Sequence, residues 1–302
     1  MSVLAIIVAL LLEQWRPVGE RRTLRTALGR MLRGLEQSLG SQGATQGAIA
    51  WLVAVLPAVV LVIVLDALLS AWSGLLALLF DVGVLYLTLG FRQFSHRFTL
   101  IQAAVKTGDI DRARALLEDW RGESVPERDR EEVVRLTIEE ALIASHRHVF
   151  GVLLWYVLLP GPSGAVLYRL AVHLAGRWRE RGEFGALARR AALVLDWPAV
   201  RLTAGAFAVV GDFEDAVYCW RTQARGWPTP NEGVLLAAAA GAMGVRLGMP
   251  LHTPEGASSR PELGLGDAVD VRFLDATVNL LWRALVVWLV VLVLLSIGHV
   301  IS

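Results

Sequence analysis

The densest run of chemically capable side chains is Glu139, Glu140, Ser145, His146, Arg147 and His148, followed by Trp155 and Tyr156. Carboxylate, imidazole and guanidinium groups at the mouth of an apolar helix suit recognition of an anionic ligand near a bilayer surface. The same groups suit plain contact with lipid headgroups, and both readings stay open. On a continuous helix Glu140, Arg147 and Phe150 share a side, while His146 projects elsewhere. A second candidate is Tyr168-Arg169, with His173 one turn beyond the arginine. A third is Asp196-Trp-Pro-x-x-Arg201, an acid and an arginine five residues apart in an apolar stretch. They can neutralise each other or engage Asp81, a carboxylate set inside a membrane-like run, where charge must face protein or a water-filled cavity. Pro228 to Gly233 forms a rigid turn in which Asn231 and Glu232 are suited to cap the following helix.

Other chemistries lack support. Cys219 is the one cysteine, so no internal disulfide or thiolate metal cluster can form, and it reads as a packing residue. No HExxH, Walker A or dinucleotide fingerprint is present. His146 and His148, two positions apart, point in different directions on a helix, so no metal site is expected. Lys106 is the only lysine among 29 basic residues. The arginines sit in no nucleic-acid recognition module, which argues against nucleic acid as a partner. Their planar fork is nevertheless suited to phosphate or carboxylate.

The elements that must carry these groups are membrane helices. The chain is 55% hydrophobic and 19% charged, against about 25% charged in a soluble domain. Residues 1–15 form a short apolar helix ending in Glu13, Gln14 and Trp15, either interfacial or re-entrant, or a span completed by Glu13 to Trp15 facing protein. Residues 16–47 are a basic amphipathic surface segment, and 48–89 a transmembrane hairpin containing Asp81. A polar helical cytoplasmic region follows at 90–148, with Asp109 capping a helix from Ile110. Residues 149–249 form a membrane core broken at Pro160-Gly-Pro-Ser-Gly164. A polar loop at 250–279 leads to a C-terminal transmembrane helix at 280–302. The positive-inside rule puts the Arg16–Arg33 and Arg92–Arg114 segments on the cytoplasmic side. A re-entrant pair at the break returns Arg177 to Arg190 to that side as well. The expected fold is therefore all-α: a polytopic membrane protein with broken or re-entrant helices and a helical polar cytoplasmic region.

The run Arg147-His-Val-Phe-Gly-Val-Leu-Leu-Trp-Tyr-Val-Leu-Leu-Pro-Gly-Pro-Ser-Gly-Ala-Val-Leu-Tyr-Arg169, followed by Asp196-Trp-Pro-Ala-Val-Arg-Leu202, resembles the AmpE and CobD/CbiB-like membrane family. The likeness extends to the opening helix with Glu13 and to Pro230-Asn-Glu-Gly233 leading into Gly241-Ala-Met-Gly-Val-Arg-Leu247. For the cobalamin branch it implies an amide-forming, adenosylcobinamide-phosphate synthase-like enzyme. Such an enzyme attaches an aminopropanol moiety to adenosylcobyric acid, with magnesium and ATP as cofactors. For the AmpE branch it implies a signalling modulator linked to β-lactamase induction and cell-wall stress. A non-catalytic membrane scaffold is a third option. The synthase pattern places acids where this chain has His146, Arg147 and His148, and again where it has His173, Leu174 and Ala175. Magnesium prefers oxygen ligands, so the expectation leans to the AmpE-like branch, with Asp196 or Asp212 as substitute acids under the synthase reading. Arg169, Arg201, Asn231 and Arg246 remain to surround a phosphate or carboxylate. The expected partners are the lipid bilayer of the bacterial inner membrane and an anionic or lipid-like ligand, with homo-oligomerisation open.

Overall fold

A computed structural model describes residues 3–15, 21–39, 43–125, 129–250, 252–253, 256–257 and 260–301. In chain order the helices are α1 (Val3–Trp15), α2 (Arg21–Leu39), α3 (Ala44–Trp72), α4 (Gly74–Thr88), α5 (Phe91–Lys106), α6 (Ile110–Arg121) and α7 (Arg130–Ser145). A π turn at His146–Phe150 carries the chain into α8 (Gly151–Leu158), followed by α9 (Ser163–Arg177), α10 (Ala186–Val210), α11 (Phe213–Gln223), α12 (Pro230–Met243) and α13 (Arg272–Ile301). Among the described residues, five stretches are long and apolar enough to cross a membrane: Ala44–Trp72, Gly74–Lys106, Arg130–Leu158, Ala186–Val210 and Arg272–Ile297. A helix satisfies its own backbone polar groups, which hydrocarbon cannot do. The chain is thus the all-α, polytopic membrane protein its composition calls for.

Two stretches differ from the hydropathy reading. Arg130–Leu158 is one of the five apolar stretches although α7 lies in the run read as polar. Its charged residues Glu132, Arg135 and Glu139 are buried inside protein instead of solvated. The last helix begins at Arg272, within the stretch read as loop, because Asp270 accepts a hydrogen bond from the Arg272 backbone N–H at 2.8 Å and starts it early.

The chain folds into two compact units. The first comprises residues 1–92 and 147–198. There α3 and α4 form a hairpin, α1 packs on α4, and α8 and α9 form a second hairpin that lies on α3 and α4 through α9. The break foreseen at Pro160–Gly164 is the turn between α8 and α9. Its closeness depends on Gly164, where a Cβ would overlap the Trp155 carbonyl. A core of Leu32, Ala50, Ala54, Val55, Leu174, Trp178, Phe184 and Ala188 joins α2, α3, α9 and α10. Trp178 and Phe184 meet edge to face at 5.0 Å. The opposite side of α3 exposes Leu52, Leu56, Val60 and Leu61, an apolar face that only lipid or another protein would cover.

Glu36 fastens α2 to this core. It is buried and accepts hydrogen bonds from Arg177 Nε at 2.7 Å, Trp178 Nε1 at 2.9 Å and Arg181 Nη2 at 3.2 Å. Burial works to raise its pKa. The hydrogen bonds from Arg177 and Trp178 and the charges of Arg177 and Arg181 together outweigh that, holding the carboxyl below its ordinary value.

The second unit comprises residues 93–146 and 199–302. Asp109 caps α6 by accepting from the Arg112 backbone N–H at 3.1 Å. α7 packs against α6, α12 and α13. Its neighbour α12 is buried from Gly233 through Ala242, and its run of alanines and glycines lets α11 approach closely. Two short antiparallel ladders occupy the connection after α12. β1 (Leu247–Gly248) pairs with β4 (Glu262–Leu263), and β2 (His252–Thr253) with β3 (Gly256–Ala257).

Candidate functional site

Three polar clusters, each within one unit, gather most of the chemically capable residues. In the first unit the π turn and α9 bring Arg147, Tyr168 and Arg169 together with Asp196. Tyr168 is fully buried and donates its hydroxyl to Asp196 Oδ1 at 2.7 Å, while Arg169 Nη1 donates to the Arg147 carbonyl at 3.3 Å. Gly151 makes this possible, because a Cβ there would overlap the Tyr168 ring. The cluster therefore combines an oriented phenol, a half-buried carboxylate and two guanidiniums. Those groups can hold a carboxylate or phosphate and orient an amine beside it.

In the same unit Asp81, on α4, accepts from the Tyr156 hydroxyl at 2.8 Å, and its other oxygen is buried with no partner. Asp81 is thus answered by a phenol. Tyr156, on α8, comes from the hairpin that lies on α4 through α9. Glu13 is buried on α1, which packs along α4.

The second unit holds the other two clusters. Glu139, buried on α7, accepts from the Gly248 backbone N–H at 2.9 Å and forms a close ion pair with buried Arg260. The Arg260 guanidinium also lies 4.5 Å from the centroid of the Trp227 ring. His146 is buried, with Nδ1 3.0 Å from Thr203 Oγ1, so it faces protein and not headgroups. Glu140 is half-buried on α7. Asn231 is buried in the first turn of α12, and Arg246 pairs with Glu262 at 3.5 Å. Arg246 is therefore already matched by a carboxylate.

The last cluster is a cavity of about 500 Å³ lined by Arg201, Trp220, Arg221, Ala224, Arg225, Pro230 and Val234. Of these, the sequence singled out Arg201 as a site candidate and Pro230 as part of a turn. Arg221 and Arg225 gave no signal because they follow no motif; the turn Ala224–Gly226 after α11 brings them to the same opening. Cys219 is buried on α11, where burial and the Asp215 charge push its thiol upward.

The family model described as CobD/Cbib protein matches residues 6–281. The chain belongs to the CobD/CbiB family. Two curated relatives agree. The "Cobalamin biosynthesis protein CobD" of Stutzerimonas stutzeri (strain A1501) is 34% identical over 297 residues, covering 97% of both chains. That of Chromobacterium violaceum is 35% identical over 228 residues, covering 73% of both. No solved structure matches this CobD/CbiB chain. These relatives overturn the AmpE-like signalling expectation, since both carry the cobalamin name across most of their length. The error lay in counting acids missing at 146–148 and 173–175. Acidic groups reach the polar clusters from other helices, as Asp196 does beside Tyr168.

Proposed function

We propose that this chain is a membrane-embedded, adenosylcobinamide-phosphate synthase-like enzyme of cobalamin biosynthesis. It would join a carboxyl group of adenosylcobyric acid to the amine of an aminopropanol unit. The observation that carries the reading is the 34% identity to a cobalamin biosynthesis protein CobD over 97% of both chains. The setting would be the bacterial inner membrane, in line with the bacterial relatives and the five apolar stretches.

Amide formation loses the elements of water, and the family resemblance implies that a magnesium nucleotide takes them up. Among the described residues no three His, Cys, Asp or Glu side chains converge on a point that holds a metal ion. The arginine-lined cavity suits phosphate oxygens but carries no carboxylate for magnesium. The residues present do not fit a protein-held magnesium, and no step is assigned to it. What the chain itself offers is the oriented Tyr168–Asp196 pair with Arg147 and Arg169 near it. Asp196 can take a proton from an incoming amine that Tyr168 helps to orient, and the guanidiniums can hold the carboxylate.

Complementation tests this. A bacterium that depends on made cobalamin and lacks its own protein of this type receives the gene. Rescue is expected when cobyric acid is supplied, with Asp196→Asn reducing it at least tenfold in growth yield. If supplied cobinamide supports growth and cobyric acid does not, despite full-length protein in the membrane, the proposal is wrong.

A further inference from the structure

We propose that Trp155 is a positioning residue for Asp196: its indole N–H holds the α10 backbone at Leu195 and thereby sets where the Asp196 carboxylate meets Tyr168. The catalytic consequence rests on the amide-forming reading, while the geometry does not. Trp155 Nε1 donates to the Leu195 carbonyl at 2.9 Å. The next residue along α10 is Asp196, which accepts from the Tyr168 hydroxyl at 2.7 Å. One hairpin thus grips two successive residues of α10, the first through its backbone from α8 and the second through its side chain from α9. Neighbours on a helix differ by about 100° in direction, so a bond that fixes the turn at Leu195 also fixes the direction of the Asp196 side chain. The hairpin is itself closely packed. A Cβ at Gly164 would overlap the Trp155 carbonyl, and one at Gly151 would overlap the Tyr168 ring. Each donor is therefore held in place by the helix that carries the other.

Pro198 is the reason this turn needs a hold from outside its own helix. It lies inside α10 and has no N–H to give to the carbonyl of Val194, four residues earlier. The ladder is open beside Leu195 and Asp196, and an opened turn takes its direction from what packs on it. Because α10 is apolar enough to cross a membrane, no water in hydrocarbon competes for the Leu195 carbonyl, which strengthens the bond from the indole. Trp155 is only partly exposed. Trp15 and Trp72, by contrast, are exposed in the manner of interfacial anchors. A tryptophan that filled space or met headgroups would leave its N–H to water or lipid. At position 155 the N–H is spent on the carbonyl next to the carboxylate that Tyr168 meets.

The chain has four tyrosines, so biosynthetic labelling with fluorotyrosine gives a short fluorine NMR spectrum in which Tyr168→Phe assigns the resonance of Tyr168. The labelled full chain is placed in phosphatidylcholine nanodiscs, and Asp196→Asn supplies the resonance of a phenol that has lost its carboxylate. Trp155→Phe keeps an apolar ring but removes the N–H, and is expected to move the Tyr168 resonance toward the Asp196→Asn value. Trp155→His is smaller, yet its Nε2 lies as many bonds from the backbone as the indole nitrogen. It is expected to return the resonance toward the parental value. The resonance of Tyr218, exposed on α11, should stay unchanged in both. If the ring acts only by packing, the order reverses and Trp155→Phe is the milder change. Amide formation on the corrinoid gives the second readout. Trp155→Phe should lower kcat roughly ten- to a hundredfold with KM little changed, and Trp155→His should recover most of that loss. Should Trp155→Phe fail to fold, benzothienylalanine at position 155 takes its place, since it keeps the size of indole with sulfur in place of the N–H. The role of Trp155 is overturned if loss of its N–H leaves the Tyr168 resonance or the kcat of the parent unchanged, or if Trp155→His is no milder than Trp155→Phe. A parent that forms no amide refutes the amide-forming reading alone, because the fluorine spectrum still decides whether Trp155 positions Asp196.

Discussion

Glu139 and Arg260 meet across 121 positions of chain, both buried, so each depends on the other for its counter-charge. Glu139→Gln is expected to lower unfolding stability by about 3–5 kcal/mol, because a guanidinium is left buried without its partner. Replacing both, as Glu139→Leu/Arg260→Met, should recover most of that loss; chemical unfolding in detergent, followed by circular dichroism, checks the pair. Glu36 behaves differently because its charge is tunable by pH. Its folded pKa lies below its ordinary value, so its stabilising effect is fully present above the unfolded value of about 4.3. It fades as pH falls through the lower, folded value. The gap in melting temperature between the parent and Glu36→Gln should therefore be wide at pH 7 and close on acidification below about pH 4; a gap that does not change would contradict the Glu36 account. Little of this was legible beforehand. Tyr168, Asp196 and Arg201 stood out because charge or a phenol in an apolar run is conspicuous. Glu36 and Arg260 sit in polar stretches, where one more charge carries no signal until a distant partner is known.

The turn between α8 and α9 is an element whose sequence announces it, since Pro160-Gly-Pro-Ser-Gly164 cannot continue a helix and permits a close return. Gly164 is where the two helices touch. Gly164→Ala is expected to cost about 1–3 kcal/mol, since the new methyl overlaps the Trp155 carbonyl and nothing there is flexible. A thermal scan that shows no loss would mean that α8 and α9 are not packed in this way. Hydropathy was less informative for α7. Its charged residues made it look solvated, while the packing of α6, α12 and α13 around it supplies the partners that bury them. Periodicity cannot report such partners, because they come from elements far along the chain. The short ladders after α12 escaped for a related reason: strands of two residues carry no alternation to read.

At the scale of the whole molecule, length and apolarity were enough for an all-α membrane protein, and the Arg147–Arg169 run was enough for the family. The branch was misjudged because acids were sought at fixed positions in the chain, whereas a polytopic fold delivers them from several helices. The family assignment brings a definite chemical expectation with it. The full-length chain, purified in detergent, is supplied with adenosylcobyric acid, MgATP and aminopropanol, free or O-phosphorylated, and the corrinoids are analysed by mass spectrometry. The account expects a new corrinoid heavier by the amine less one water, formed in proportion to protein and strongly reduced by Asp196→Asn. Unchanged adenosylcobyric acid, in a mixture that the Stutzerimonas stutzeri relative converts, would contradict it.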